Sequence, residues 1–265
     1  MKVSLIITTY NWPEALKLTL KSALSQTKLP DEIIIADDGS TNSTKKTIEN
    51  FAKNSSLPII HSWQEDRGFR LAMSRNRAIA KARGDYIILI DGDLILHKNF
   101  IYDHIKFAKR GFFLQGGRVL LQKDLTKQII NGKQAKLSLF TKGIKNRKNC
   151  IYLPLLSKFL SFSTTSIRGI KSCNFSLFKE DILKVNGFDN RFVGWGREDS
   201  EFVVRLVNSG IKRKNLKFAA IAYHLYHPEN ERASLPKNEQ RLKEAIEKKL
   251  IKCSDGINRF LESKL

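Results

Sequence analysis

GDYIILIDGDLIL, residues 84–96, is the stretch that decides the fold. Residues 86–90 are a short continuous apolar run, the length of a strand covered on both faces. The run ends in Asp91-Gly92-Asp93. Two carboxylates one residue apart, at the carboxyl end of a central strand, stand where open α/β sheets bind ligands. Gly92 would let the backbone turn sharply enough for both side chains to face one point. Two hard oxygen ligands converging there suit Mg²⁺ or Mn²⁺, completed by waters and substrate phosphates. The plain reading of the same triplet is a polar turn after a strand, so its weight depends on the rest of the chain.

Upstream, the same unit repeats. Residues 3–8 read as a strand, followed by Thr8-Thr9-Tyr10-Asn11 and by Pro13 at a first helical position. Ala15, Leu16, Leu20, Ala23 and Leu24 then recur at helical spacing. Residues 32–36 are a second strand ending in Asp37-Asp38-Gly39-Ser40, where Ser40 or Asn42 can cap a helix over 44–53. A third strand is predicted over 58–62 and a third helix over 68–83, with Leu71, Ala72, Arg75, Ala78, Ile79 and Ala82 in register. Such alternation builds a mainly parallel sheet flanked by helices, with polar residues gathered at its carboxyl edge. No Gly-x-Gly-x-x-Gly turn follows the first strand and no Gly-Lys-Ser/Thr loop is present. That argues against a dinucleotide dehydrogenase or a P-loop enzyme, and leaves side chains to bind any nucleotide. Thr8, Tyr10 and Asp37 or Asp38 are placed to hold a base and ribose.

Downstream, the pattern predicts a helix over 98–110, a strand over 112–121, a strand over 172–178 and a short helix over 179–185. Residues 125–179 contain eleven Lys or Arg and no Asp or Glu, with apolar runs at 151–156 and 159–162. A solvated basic loop and a flap facing a membrane or an acceptor both fit that composition. Gly194-Trp195-Gly196-Arg197-Glu198-Asp199 follows. Its glycines suggest a loop that brings backbone close to a ligand, and its acids open a helix running to Asn208. A strand is expected over 216–222, then Tyr223-His224-Leu225-Tyr226-His227. A histidine after a strand, beside a carboxylate site, is a candidate metal ligand. A charged helix over 236–253 carries Leu242, Ile246 and Leu250 on one stripe.

The 265 residues fit one large α/β domain, and a hydrophobic content of 42% supports a proper core. Lys and Arg number 47 against 26 Asp and Glu, a net charge of +21, so an anionic partner is expected. Cys150, Cys173 and Cys253 have no metal-site spacing and, as an odd and sparse set, point to a reducing compartment. Met1-Lys2 leads straight into VSLIITT, too short for a signal segment, and no apolar run nears the ~18 residues of a membrane span. The expected location is cytoplasmic, with peripheral attachment to the inner face of the membrane as an extension of that reading.

Taken together, TTYNWPEAL, IIIADDGST, QEDRGFRLAMSRNRAIAKARGDYIILIDGD and NGFDNRFVGWGREDSEFVVRLVNSG resemble the inverting nucleotide-sugar glycosyltransferases of family 2, with the GT-A fold. The GWGxED segment is similar to that of β-1,4-galactosyltransferases and of bacterial chondroitin polymerases. The likeness covers about residues 2–227, apart from the basic stretch 122–170.

The resemblance implies a division into a nucleotide-binding half, 1–121, a basic flap, 122–170, an acceptor-binding half, 171–235, and a helical tail, 236–265. It implies that Thr8, Tyr10 and Asp37 or Asp38 contact uridine, and that Arg75 and Asn76 lie beside the diphosphate-sugar with Asp91 and Gly92. It makes Asp91 and Asp93 ligands of Mn²⁺ or Mg²⁺, with His224 the better match for a further ligand than His227. Asp199 matches the catalytic base, and Glu198 would hold an acceptor hydroxyl alongside Trp195 and Gly196. The implied partners are a nucleotide-sugar donor and a glycan or lipid-linked acceptor of surface polysaccharide or lipopolysaccharide synthesis, with an anionic membrane surface near by. The rival reading, a basic nucleic-acid-binding protein, rests on charge alone, because no nucleic-acid motif gathers the basic residues. A sugar-phosphate nucleotidyltransferase would need a glycine-rich phosphate loop near the N-terminus, and TTYNWPEAL has none.

Overall fold

The computed structural model describes residues 1–133, 136–228 and 231–261. Strand and helix alternate through the first third as β1 (Val3–Thr9), α1 (Pro13–Leu24), β2 (Glu32–Asp37), α2 (Asn42–Lys53), β3 (Ile59–Trp63), α3 (Leu71–Lys81) and β4 (Tyr86–Asp91). There follow β5 (Leu94–Leu96), α4 (Phe100–Phe107), β6 (Phe112–Gln115), β7 (Arg118–Leu120), α5 (Lys123–Ile130), α6 (Pro154–Leu160) and β8 (Phe162–Thr164). The chain continues with β9 (Asn174–Phe178), α7 (Lys179–Lys184), α8 (Glu198–Asn208), β10 (Lys212–Asn215), β11 (Ala222–His224) and α9 (Leu235–Glu247).

Eight strands form one sheet in the order β3-β2-β1-β4-β9-β6-β10-β8, and β5-β11-β7 form a small second sheet. The first four strands are parallel, and β9 runs antiparallel between β4 and β6. The central strands are buried on both faces, which is why β1, β2 and β4 read as unbroken apolar runs. Leu5, Ile7, Ile33, Ile35, Ile88 and Ile90 point to the face covered by α1, α2 and α4. Ile6, Ile34, Ala36, Ile87 and Leu89 point to the face covered by α3, α7 and α8. Each such side chain, fully buried, stabilises the fold by about 1.5–3 kcal/mol. Register then aligns the carboxyl ends: Thr8 stands opposite Asp91, and Thr9 opposite Asp37.

Three predicted elements differ. The strand expected over 112–121 breaks at Gly116-Gly117, sending β6 to the large sheet and β7 to the small one. Of the strand expected over 216–222, residues 216–221 are coil between β10 and β11, with Phe218 and Ala220 at φ 58° and 49°, and only Ala222 enters a strand. Leu216, Ala219, Ala220 and Ile221 are nevertheless buried, because side chains replace the ladder: Ala220 N–H donates to Asp103 (2.8 Å), and Asn174 donates to the Ala220 carbonyl (2.8 Å). The C-terminal helix stops at Glu247, and its Leu242 and Ala245 pack with Val204 of α8 while Ile246 faces outward. Within the stretch set apart as a tail, of which 262–265 lie outside the described residues, Leu242, Ala245 and Ile257 pack into the body, Ile257 in the core beside α3.

Candidate active site

The turn between β4 and β5 carries Asp91, Gly92 and Asp93. Gly92 is needed for close approach: a Cβ there would lie 2.5 Å from the Thr8 carbonyl oxygen. Within the protein, Asp91 and Asp93 are held by different partners. Asp91 Oδ1 accepts from Thr8 Oγ1 (3.0 Å) and from Arg75 Nη2 (3.2 Å). Asp93 Oδ2 lies 3.4 Å from His224 Nε2 and 3.3 Å from His227 Nε2, and the charge of Asp91 also reaches both imidazoles. Pairing of β11 with β5 sets His224 opposite Leu94, and the following turn brings His227 back beside it. The structure therefore gathers Asp93 with both histidines and leaves Asp91 outside that group.

The grouping fits a divalent metal. Asp93 Oδ1 is buried and has no hydrogen-bond partner among the described residues. One carboxylate and two imidazoles suit Mn²⁺ better than Mg²⁺, which prefers oxygen alone. The hydrogen bond to Asp93 raises the His227 pKa, whereas burial lowers that of His224.

Across the cleft, α8 opens with Glu198 and Asp199, which suit the positive end of its dipole. The loop before it reaches this position through left-handed backbone, Gly194 at φ 77° and Arg197 at φ 75°. Gly194 cannot be larger, because a Cβ would meet Ser234 Oγ at 2.2 Å. Burial pushes both carboxyls up. Glu198 reaches about 7, with the charge of Asp199 adding to the rise and Arg75 opposing it. Asp199 rises chiefly through burial, opposed by Arg75 and by the N–H groups of Ser200 and Ser172.

Arg75 joins the two sides. It is 1% exposed, donating from Nη2 to Asp91 and from Nη1 to Glu198 Oε1 (3.3 Å). A buried guanidinium between two carboxylates fixes their separation, and removing it would strand both. Helical spacing on α3 marked Arg75 as inward-facing, but nothing local named Glu198 as its partner.

The other expected contacts divide. Asp37 is fully buried and taken up internally, accepting from Ser40 N–H (2.8 Å) and lying 2.8 Å from His61 Nε2. Asp38 accepts from Gln64 Nε2 (2.6 Å) and Arg70 N–H (2.7 Å), and burial raises its pKa to about 6. Tyr10 is half exposed, its hydroxyl donating to Asp66 (2.9 Å). Gln64, Asp66 and Arg70 had no assigned role in the sequence, although QEDRGFR contains all three. Asn76 is placed away from the cleft: its amide is fully buried and braces Phe188 and Asn190, so it has no atom to offer a ligand. Trp195 and Gly196 line a cleft of about 320 Å³ together with Glu198, Asp199 and Arg232. The Arg232 guanidinium lies 5.2 Å from the Trp195 ring.

The model for "Glycosyl transferase family 2" matches residues 4–184, and that for "N-terminal domain of galactosyltransferase" matches 160–228. Chondroitin synthase of Escherichia coli is 27% identical over 86% of this chain, which spans 35% of that protein's length. Staphylococcus aureus TarS, solved with UDP, superimposes with a TM-score of 0.64 at 16% identity, covering 98% of this chain and 68% of TarS. A mannosyltransferase from Pyrobaculum calidifontis, solved with GDP-Man and Mn²⁺, gives a TM-score of 0.61 at 16% identity, covering 93% of this chain and 64% of that one.

Proposed function

The chain belongs to glycosyl transferase family 2 and has the GT-A fold, and from that premise we propose that it moves a sugar from a nucleoside diphosphate, UDP first, to a hydroxyl of a glycan or lipid-linked glycan. The observation that carries the proposal is the Arg75 bridge, which ties Asp91, two residues from Asp93 of the candidate metal group, to Glu198, the neighbour of the proposed base.

Each residue then has a task. Asp37 or Asp38 meets the base together with Tyr10 and Thr8, both acids being held in place by bonds within the protein. Asp93, His224 and His227 would hold Mn²⁺ or Mg²⁺, which when bound neutralises charge on the leaving diphosphate. Asp199 takes the proton of the acceptor hydroxyl, while Glu198, fixed by Arg75, positions that hydroxyl. Trp195 offers the acceptor sugar a flat apolar face and so orients it towards the anomeric carbon. Attack from the face opposite the leaving group inverts the anomeric centre, turning an α-linked donor into a β-linked product. The glycan polymer made by the Escherichia coli relative supports a surface-polysaccharide or lipopolysaccharide acceptor.

The test is turnover of purified protein with Mn²⁺ on a panel of nucleotide sugars, scored by released nucleoside diphosphate. Release from one donor, abolished by chelator, is the expected result. Release from none would overturn the transferase reading, and full activity in excess chelator would remove the metal from it.

A further inference from the structure

The acid-free segment presents its apolar residues to the outside. On α6, Ser157 is the buried residue, while Leu155 is 82% and Phe159 78% exposed. Leu155 and Phe159, like Leu156 and Leu160, are four residues apart and share a helix face. Leu153 just before the helix and Phe162 just after it are about half exposed. A helix on a water-facing surface does the reverse, turning leucines inward and polar residues out. Nor is this face loosely held. Leu153 N–H donates to the Phe218 carbonyl (3.0 Å), Lys217 N–H donates to Ser161 Oγ (3.2 Å), and β8 pairs with β10.

We infer that α6 and the start of β8 form a docking face for an anionic lipid surface, with Leu155, Leu156, Phe159 and Leu160 entering the boundary between headgroups and acyl chains. Charge selects this occupant. Lys158 lies exposed on the helix itself, and Lys217 places its ammonium 6.0 Å from the Phe162 ring. Lys145, Arg147 and Lys148 are exposed just upstream, and residues 125–179 have no acid to oppose them. A second copy of the chain would set this basic face against itself, so like charges disfavour a symmetric dimer here. Basic side chains around an apolar wedge are what a layer of anionic headgroups attracts and retains.

The placement suits the cleft. Phe162 pairs with Asn215 at the carboxyl end of β10, and β10 runs parallel to β4, so the face and Asp91 share one edge of the sheet. Between β4 and β8 lie β9, β6 and β10, with neighbouring strands spaced by about 4.8 Å. Docking goes beyond the proposed transfer and needs neither donor nor acceptor.

The experiment is sedimentation of the whole chain, without nucleotide, with phosphatidylcholine vesicles that contain or lack phosphatidylglycerol, at low and high salt. The expected result is partition to the anionic vesicles at low salt and release at high salt. The double variant Leu155→Ser/Phe159→Ser should lose about tenfold or more in partition. Lys158→Gln and Lys217→Gln should each lose about fivefold. Circular dichroism and the thermal midpoint check that the variants are folded. No binding at low salt, equal partition to both vesicle types, or a folded double variant that binds like the parent would overturn the proposal. So would a dimer of the parent chain that the double variant dissociates. A chain that binds these vesicles but releases nucleoside diphosphate from no donor upholds the docking face while overturning the transferase reading.

Discussion

The turn after β4 and the first turn of α8 each set two carboxylates close together in sequence, and the fold treats them in opposite ways. Asp91 and Asp93 take different partners, Arg75 for one and two imidazoles for the other. Glu198 and Asp199 stay together in a partly buried corner, where burial raises both and the charge of Asp199 adds to the rise at Glu198. Spacing alone does not make a pair of acids a site. Partners do, and Arg75 is the partner common to both pairs.

The largest test of this contrast removes the proton acceptor on the α8 side. Asp199→Asn keeps shape, and turnover should fall by about 10²–10⁴ with donor binding nearly unchanged. An Asn variant with near-normal turnover would pass the base role to Glu198.

Next comes the bridge. Arg75→Met leaves Asp91 and Glu198 without their shared cation, and a loss of about 3–5 kcal/mol in denaturant unfolding is expected. A change below about 1 kcal/mol, the range of an exposed ion pair, would mean that the two acid pairs are independent.

The β4 side is sharpened by comparing its own two acids. Asp93→Asn should weaken Mn²⁺ binding in calorimetry by about 10–100-fold or more, and Asp91→Asn by less. His224→Ala and His227→Ala should each weaken it to a similar degree. A larger loss from Asp91→Asn would return that residue to the metal and break the contrast.

The smallest effect expected is in pH. Both α8 carboxyls titrate above their ordinary range, Glu198 at about 7, so the pair gains a proton as pH falls. A base must be unprotonated to act, so the rate should fall as pH drops through the raised range of the pair. Glu198→Gln removes one charge of the pair, which should move the inflection to lower pH. An inflection that stays in place would assign the titration to a different group.

Much of the fold was legible because its physical causes are local. The parallel strands are covered on both faces, and that requirement leaves unbroken runs such as residues 32–36 and 86–90. Residues 216–222 look like such a run and are not one, because Asp103 and Asn174 satisfy the backbone there instead of a neighbouring strand. The charged segment Lys212–Asn215 shows no apolar run, yet it pairs as β10. Within the site, Asp93, His224 and the Glu198-Asp199 pair were legible by residue type and position after an element. The inward role of Asn76 was not, since an amide that braces a loop reads the same as one that meets a ligand.

By itself the sequence determined the alternating elements, the edge where the polar residues collect, the two acid pairs and the basic stretch without acids. These follow from composition and period, which act over a few neighbouring residues. Only the tertiary structure decided which group meets which: Arg75 with Asp91, 16 positions away, and with Glu198, 123 positions away. It also decided that His227 joins His224 on Asp93, and that α6 turns its leucines outward. Such contacts depend on strand register and on where turns return the chain, and contacts of that range leave no local mark in the sequence.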